Sequence, residues 1–148
     1  TVSKWCVQTN NFDNYFKLLL ELSHYEHYDI LGHLDYLKKY TENYLEKEHI
    51  FTIEKILINL IKNEKLLEIN TSGLRQTSKE QYPSENILKM YYDMGGRLIS
   101  IGSDSHHISH INYGYKKIYD LCKDIGFENY HFLKDRKIHE IKINRSLQ

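Results

Sequence analysis

Three short stretches of this 148-residue chain each carry two polar residues two positions apart: His33 and Asp35, Glu68 and Asn70, Asp104 and His106. Imidazole and carboxylate together are donors that suit zinc, manganese or iron. One such pair alone reads more readily as a polar strand end in water. The spacing changes that weighing, because His33, Glu68 and Asp104 stand 35 and 36 residues apart, roughly the length of one strand-plus-helix unit. If each pair ends a strand, its two members share a face. All three pairs then converge on the C-terminal rim of a parallel sheet, where barrel and doubly wound enzymes keep their chemistry. The pattern predicts a metal site.

A second feature follows the Glu68 pair. Asn70-Thr71-Ser72-Gly73-Leu74-Arg75 places hydroxyls, a glycine and a guanidinium just past a strand, a plausible cradle for an anion because Arg can grip phosphate with two bonds. Lys38 and Lys39 could add charge on the same rim. Locally the stretch reads equally well as an ordinary turn with a surface Arg and a solvated lysine pair. His106, His107 and His110 form an HHxxH run, but His106 is expected at a strand end, which leaves His107 and His110 in the loop behind it. His24, His27, His49, His131 and His139 are expected at the surface or at helix ends. No glycine-rich nucleotide loop, serine elbow or CxxC pair is present.

The elements that must hold these residues alternate in type. Strands are expected at Tyr28 to Asp35, Leu66 to Asn70 and Leu98 to His106, with one weak further strand between Tyr130 and Ile143. Helical periodicity marks five places. Phe16, Leu19, Leu20 and Ser23 follow an expected cap at Asp13. A short helix covers Tyr36 to Tyr44. Ile53, Ile56, Leu57, Leu60 and Ile61 form a stripe behind Thr52. A fourth helix begins near Pro83-Ser84 and stops at Gly95-Gly96, and a fifth carries Tyr115, Ile118, Cys122 and Ile125 and stops at Gly126. The caps supply acceptors for orphan N–H groups, and the glycines supply left-handed termini. Strand–helix alternation implies crossover connections and a parallel sheet.

Composition narrows the function. Lys plus Arg and Asp plus Glu are both 20, and zero net charge argues against a nucleic-acid partner, which calls for basic excess. No apolar run approaches the ~18–20 residues of a membrane span, so no membrane partner is expected. Two distant cysteines, Cys6 and Cys122, suit a reducing cytoplasm. The first residue is Thr1, not Met, and a piece of a longer protein is expected.

Four motifs carry a resemblance: GHLDYLKKY (Gly32 to Tyr40), LEINTSGLR (Leu67 to Arg75), YPSENIL (Tyr82 to Leu88) and GGRLISIGSDSH (Gly95 to His106). In order and spacing they resemble the C-terminal half of the polymerase-and-histidinol-phosphatase superfamily, from about Phe12 to Ile143, and NTSGLR points towards its monofunctional histidinol-phosphatase branch. The resemblance implies an α/β chain forming the C-terminal portion of a distorted (β/α)7 barrel, its parallel strands alternating with helices. It implies two or three divalent ions, Zn, Mn or Fe, in the complete enzyme. His33 matches the histidine of the GHxD motif, and Asp104 and His106 match the DxH pair, all three as metal ligands. Arg75, with Lys38 or Lys39, falls where the substrate phosphate is held. Asp35, Glu68, Asn70 and Ser72 match family positions and are assigned to the pocket lining. No catalytic residue is assigned.

The superfamily opens with an HxH motif and further His and Glu ligands ahead of GHxD, and nothing here matches them. Residues 1–148 are therefore expected to form a partial domain whose barrel lacks its N-terminal units, inactive alone and needing that missing part as partner. The leading expectation is a cytoplasmic metal-dependent phosphomonoesterase acting on histidinol phosphate in histidine biosynthesis. Another phosphoesterase of the same superfamily, such as a nuclease-like module, or a metal-binding domain without catalysis are the alternatives.

Overall fold

The computed structural model describes residues 2–41 and 44–143. At its centre is a three-stranded parallel sheet of β1 (Ile30–Leu31), β2 (Leu66–Asn70) and β3 (Ile99–Gly102), with β2 in the middle. Leu67 lies opposite Leu31 on one side and Ile99 on the other, and Glu68 lies opposite Ser100. Leu66, Leu67 and Ile69 are all buried, as the continuous apolar run of a strand covered on both faces requires.

The helices bury stripes of the expected period. Helix α1 spans Val2–Gln8 and α2 spans Phe12–Ser23. Helix α3 (Glu46–Lys62) turns His49, Ile53, Ile56, Leu57 and Leu60 inward, a helical face of neighbouring turns, and packs along α2. Helix α4 (Glu85–Asp93) begins where the sequence predicts, with Ser84 Oγ accepting the Ile87 N–H at 3.2 Å. Helix α5 (Tyr115–Ile125) buries Ile118 and Cys122 and ends at Gly126, whose φ of 119° suits a residue without Cβ. Residues from all these helices and from the sheet join one core. Among the described residues no helix is long and apolar enough to cross a membrane.

The structure departs from the sequence-based expectations in several places. The outer strands are shorter: β1 stops before Gly32 and β3 stops at Gly102. His33 (φ 59°) and Asp104 (φ 46°) then take left-handed backbone, which interrupts regular strand geometry. A 3-10 turn covers Tyr36–Lys39 where an α-helix over 36–44 was expected, and residues 42–43 of that stretch lie outside the described residues. The cap of α2 is Asn11, whose side chain accepts the Asn14 N–H, rather than Asp13. Helix α3 begins at Glu46, a turn and a half before Thr52. The C-terminal stretch forms two antiparallel strands, β4 (Asn129–Lys134) and β5 (Lys137–Lys142), where a single strand was expected. Asp135 and Arg136 at its turn both have positive φ, the conformation of tight two-residue hairpin loops. The hairpin packs beside β3 through buried His131, whose Nδ1 donates to the Ile99 carbonyl at 3.1 Å.

Candidate metal centre

The three sheet strands deliver four side chains to one rim. His33 leaves the turn after β1, Glu68 projects from β2, and Asp104 and His106 lie on the loop after β3. His33 Nδ1 is 3.8 Å from Glu68 Oε2, and His33 Nε2 is 3.9 Å from Asp104 Oδ2. The other oxygen of Asp104, Oδ1, is 3.3 Å from His106 Nε2. One carboxylate thus faces an imidazole with each of its oxygens. His33, Asp104 and His106 come together although all three lie on loops rather than strands.

Local sequence explains how this rim is held. Tyr15, buried on α2, donates its hydroxyl to the His33 carbonyl at 2.5 Å. The Tyr36 ring meets the His33 ring edge-on, centroids 4.5 Å apart. Arg75 Nη2 donates to the carbonyls of Ser103 at 2.7 Å and Asp104 at 2.8 Å, which fixes the left-handed turn that presents Asp104. Glu68 fits because both neighbouring strands offer glycine beside it. A Cβ on Gly32 would stand 2.8 Å from Glu68 Oε2, and one on Gly102 would stand 2.5 Å from Oε1. Asn70 Nδ2 donates to Glu68 Oε2 at 3.3 Å. The strand spacing predicts Glu68 at the same rim as His33, with pocket lining as its role, and the glycines of the GHLD and IGSD stretches leave its carboxylate room there.

Other sequence-predicted residues lie elsewhere. Asp35 does not line the mouth: it is fully buried, and its Oδ2 accepts from Lys38 Nζ at 2.8 Å and from the Ser84 N–H at 2.9 Å. The reason is the left-handed turn at His33, which breaks the strand alternation that would have put the two on one face. Burial raises the Asp35 carboxyl to about 6, against the opposing pull of Lys38. Lys38 is not free for phosphate either, since its Nζ is also 2.8 Å from Glu80 Oε2 and it is held between two carboxylates. Lys39 is the lysine of the pair that senses Asp104. Burial lowers its pKa, but a hydrogen bond with Tyr36 and the charges of Tyr36, Tyr40 and Asp104 outweigh that and raise it. Asn70 and Ser72 are buried, Asn70 Oδ1 accepting the Ser72 N–H at 2.9 Å. His49, at the helix end expected for it, and His131, in β4 rather than at the surface or a helix end, are both buried; His49 Nδ1 reaches Asp13 at 3.1 Å and its ring stacks on Phe16.

The donor chemistry fits a divalent ion in kind. Two ligands each ~2.0–2.2 Å from a tetrahedral ion stand roughly 3.3–3.5 Å apart, close to the Asp104–His106 separation and slightly under the two separations at His33. The number falls short: among the described residues no group of three or more His, Cys, Asp and Glu side chains is gathered closely enough to hold an ion. The rim offers pairs that share Asp104 and His33.

The chain thus carries imidazoles and carboxylates at the C-terminal rim of a parallel α/β sheet. No family model matches the chain. A Thermotoga maritima protein named "Probable histidinol-phosphatase" is 42% identical over 113 residues, which is 76% of this chain and 47% of that protein. A Clostridium acetobutylicum protein of the same name is 30% identical over 142 residues, 90% of this chain and 54% of that one. The crystal structure of the Lactococcus lactis histidinol phosphate phosphatase, complexed with zinc, L-histidinol and phosphate, superposes with a TM-score of 0.70. Its sequence is 26% identical, and the match covers 86% of this chain and 50% of that one. The chain is a homologue of the histidinol-phosphatases. It spans about half the length of the curated relatives it matches.

Proposed function

We propose that this chain supplies the metal- and phosphate-facing rim of a divalent-metal-dependent histidinol-phosphate phosphatase, built on part of a distorted (β/α)7 barrel. The observation that carries the reading is Asp104, with one oxygen towards His33 and the other towards His106, at the C-terminal end of a parallel sheet. His33, Asp104 and His106 are the ligands, with Glu68 beside them. An ion held there, zinc foremost, would supply Lewis-acid polarisation of the phosphoryl oxygens and would lower the pKa of a bound water. Zinc, histidinol and phosphate in the Lactococcus lactis neighbour support that choice of metal and substrate.

The chain's own residues have separable tasks. His33 and His106 would hold an ion through imidazole nitrogens and Asp104 through its carboxylate, one oxygen of which faces each imidazole. Glu68, in its glycine-walled slot, adds negative charge next to His33. Arg75 holds the Asp104 turn with Nη2 and keeps Nη1 for the phosphate, where a fixed guanidinium stabilises charge that builds as the alkoxide leaves. Further ligands, up to the four to six each ion takes, come from outside these residues. A small phosphomonoester suits the neutral net charge better than a polynucleotide does.

The absence of any three-residue donor group among the described residues favours a second reading, in which these 148 residues bind metal weakly and turn nothing over by themselves. The second reading is tested by zinc titration and a phosphate-release assay on the 148 residues alone, and the first by replacing the matched segment of the Thermotoga maritima relative with this chain. Zinc-dependent phosphate release from histidinol phosphate by the chimera, abolished by Asp104→Asn, is the expected result. A folded, zinc-loaded chimera without turnover would contradict the first reading.

A further inference from the structure

A cavity of about 290 Å³ lies at the opposite end of β3 from the metal rim. It sits where the C-terminal ends of α4 and α5 meet the start of the hairpin, and its wall includes Tyr92, Arg97, Phe127, Glu128, His131 and Glu140. Asp104 lies past the far end of β3, and neither the metal ligands nor Arg75 borders this space. Its volume falls at the small end of the ~300–1,000 Å³ range of small-molecule sites. Gly126 draws the walls together, because a Cβ there would stand 2.7 Å from the Tyr92 hydroxyl. The Tyr92 and Phe127 rings meet edge to face, centroids 5.0 Å apart, and form the apolar part of the wall.

Opposite charges share this cavity without meeting. Arg97 Nη1 donates to the carbonyls of Tyr92 at 2.7 Å and Gly96 at 2.8 Å, and the guanidinium lies 3.7 Å from the Tyr92 ring centre. One nitrogen thus serves the end of α4, where a cation suits the helix dipole. Nε and Nη2 meet no acceptor among the described residues, and together they make a fork that can grip a carboxylate with two bonds. The carboxylates of the wall do not use it. Glu140 Oε2 accepts instead from Asn129 Nδ2 at 3.2 Å, and no ion pair joins Arg97 to Glu128 or Glu140 among the described residues. His131 adds a further acceptor. It is buried and stands directly opposite Glu140 in the hairpin register, so the two side chains share a face. Its Nδ1 carries the hydrogen donated to the Ile99 carbonyl, which leaves Nε2 of the neutral ring as an acceptor.

We propose that this cavity binds a free α-amino acid, its carboxylate on Arg97 Nε and Nη2 and its ammonium group among Glu128, Glu140 and His131 Nε2. A simple anion would meet two glutamates with nothing to offer them, and a simple cation would leave the Arg97 fork unused. A zwitterion answers both, and the Tyr92–Phe127 wall is where its side chain lies. The site rests on the cavity and its held-apart charges, not on the phosphatase reading. Its link to the metal rim is β3 itself, since His131 holds the carbonyl of Ile99, the first residue of the strand that leads to Asp104.

The test is titration of the full chain with L-alanine, L-histidine and L-arginine, followed through the imidazole resonances of His131. Each is paired with the amine that lacks its carboxylate: ethylamine, histamine and agmatine. At least one amino acid should bind saturably at millimolar concentration, and its amine about tenfold or more weakly. Arg97→Gln and Glu140→Gln should each weaken binding about tenfold or more, whereas His139→Ala, on the other face of the same strand, should leave it unchanged. No saturable binding by any of the three, an amine that binds as well as its amino acid, or full affinity in either Arg97→Gln or Glu140→Gln would overturn the site. If Arg97→Gln does not fold, the comparison of amino acid with amine on the wild-type chain decides the role of Arg97. Zinc and phosphate are left out of the titration, so failure of this site leaves the phosphatase reading intact, and an inactive chimera leaves this site intact.

Discussion

Tyr15, on the second helix, donates its hydroxyl to the carbonyl of His33 at 2.5 Å, and this bond holds a candidate metal ligand in a backbone conformation it would not choose. His33 has a φ of 59°, a region disfavoured for residues with a Cβ. Burial, then the charge of Asp35, raises the Tyr15 pKa, so the phenol stays protonated and remains a donor. Tyr15→Phe should lower stability by about 1–2 kcal/mol and weaken zinc binding roughly three- to tenfold, since the His33 ring is no longer aimed. Calorimetric titration with zinc beside a denaturation curve separates the two effects. Lower stability with unchanged zinc affinity would make Tyr15 a core residue only.

Gly102 and Gly32 leave room for the Glu68 carboxylate, and a Cβ at Gly102 would lie 2.5 Å from Oε1. The clash falls on the far end of a flexible side chain, which can swing away at little cost. Gly102→Ala should therefore change stability by less than about 1 kcal/mol while turning Glu68 away from His33. Zinc affinity should fall about as far as in Glu68→Ala, and combining the two substitutions should add nothing more. Additive losses would show that Gly102 serves something other than Glu68.

Asp35 gives the fold a pH dependence of definite sign. Its pKa is raised from 3.8 to about 6 in the folded chain, chiefly by burial, so folding favours the protonated acid. Its stabilising contribution is fully present below about pH 4 and is lost as the pH rises through about 6, a change of about 3 kcal/mol. Asp35→Asn should lack that component, so wild-type stability relative to the variant should decline between pH 4 and 7. Parallel curves for the two proteins would mean that Lys38 keeps Asp35 ionised throughout.

That His33, Glu68, Asp104 and His106 gather at one rim was legible in the sequence, and most of the rim's geometry was not. His33, Asp104 and His106 could be singled out because strand–helix units repeat at an even interval. That same reasoning misplaced Asp35, because it assumed that the strand continues past Gly32. A left-handed turn at His33 sends the next residues along a different path, and only the tertiary contacts of Tyr15 and Tyr36 reveal why that turn is stable. Lys38 and Lys39 look alike in sequence, yet the buried Asp35 and distant Glu80 claim one of them. The helix stops at Gly126 and the start at Ser84 were readable because caps act locally. The C-terminal hairpin was missed because its alternation is weak and β5 is exposed along its whole length, so no buried face marked the register.

The central claim is that His33, Asp104 and His106 form part of a metal site, and zinc-edge anomalous diffraction from crystals of the chain soaked in millimolar zinc tests it most directly. An anomalous peak ~2.0–2.2 Å from both Asp104 Oδ1 and His106 Nε2 is expected, with any second peak between Asp104 and His33. Zinc bound only at other histidines, with no density beside Asp104, would contradict it.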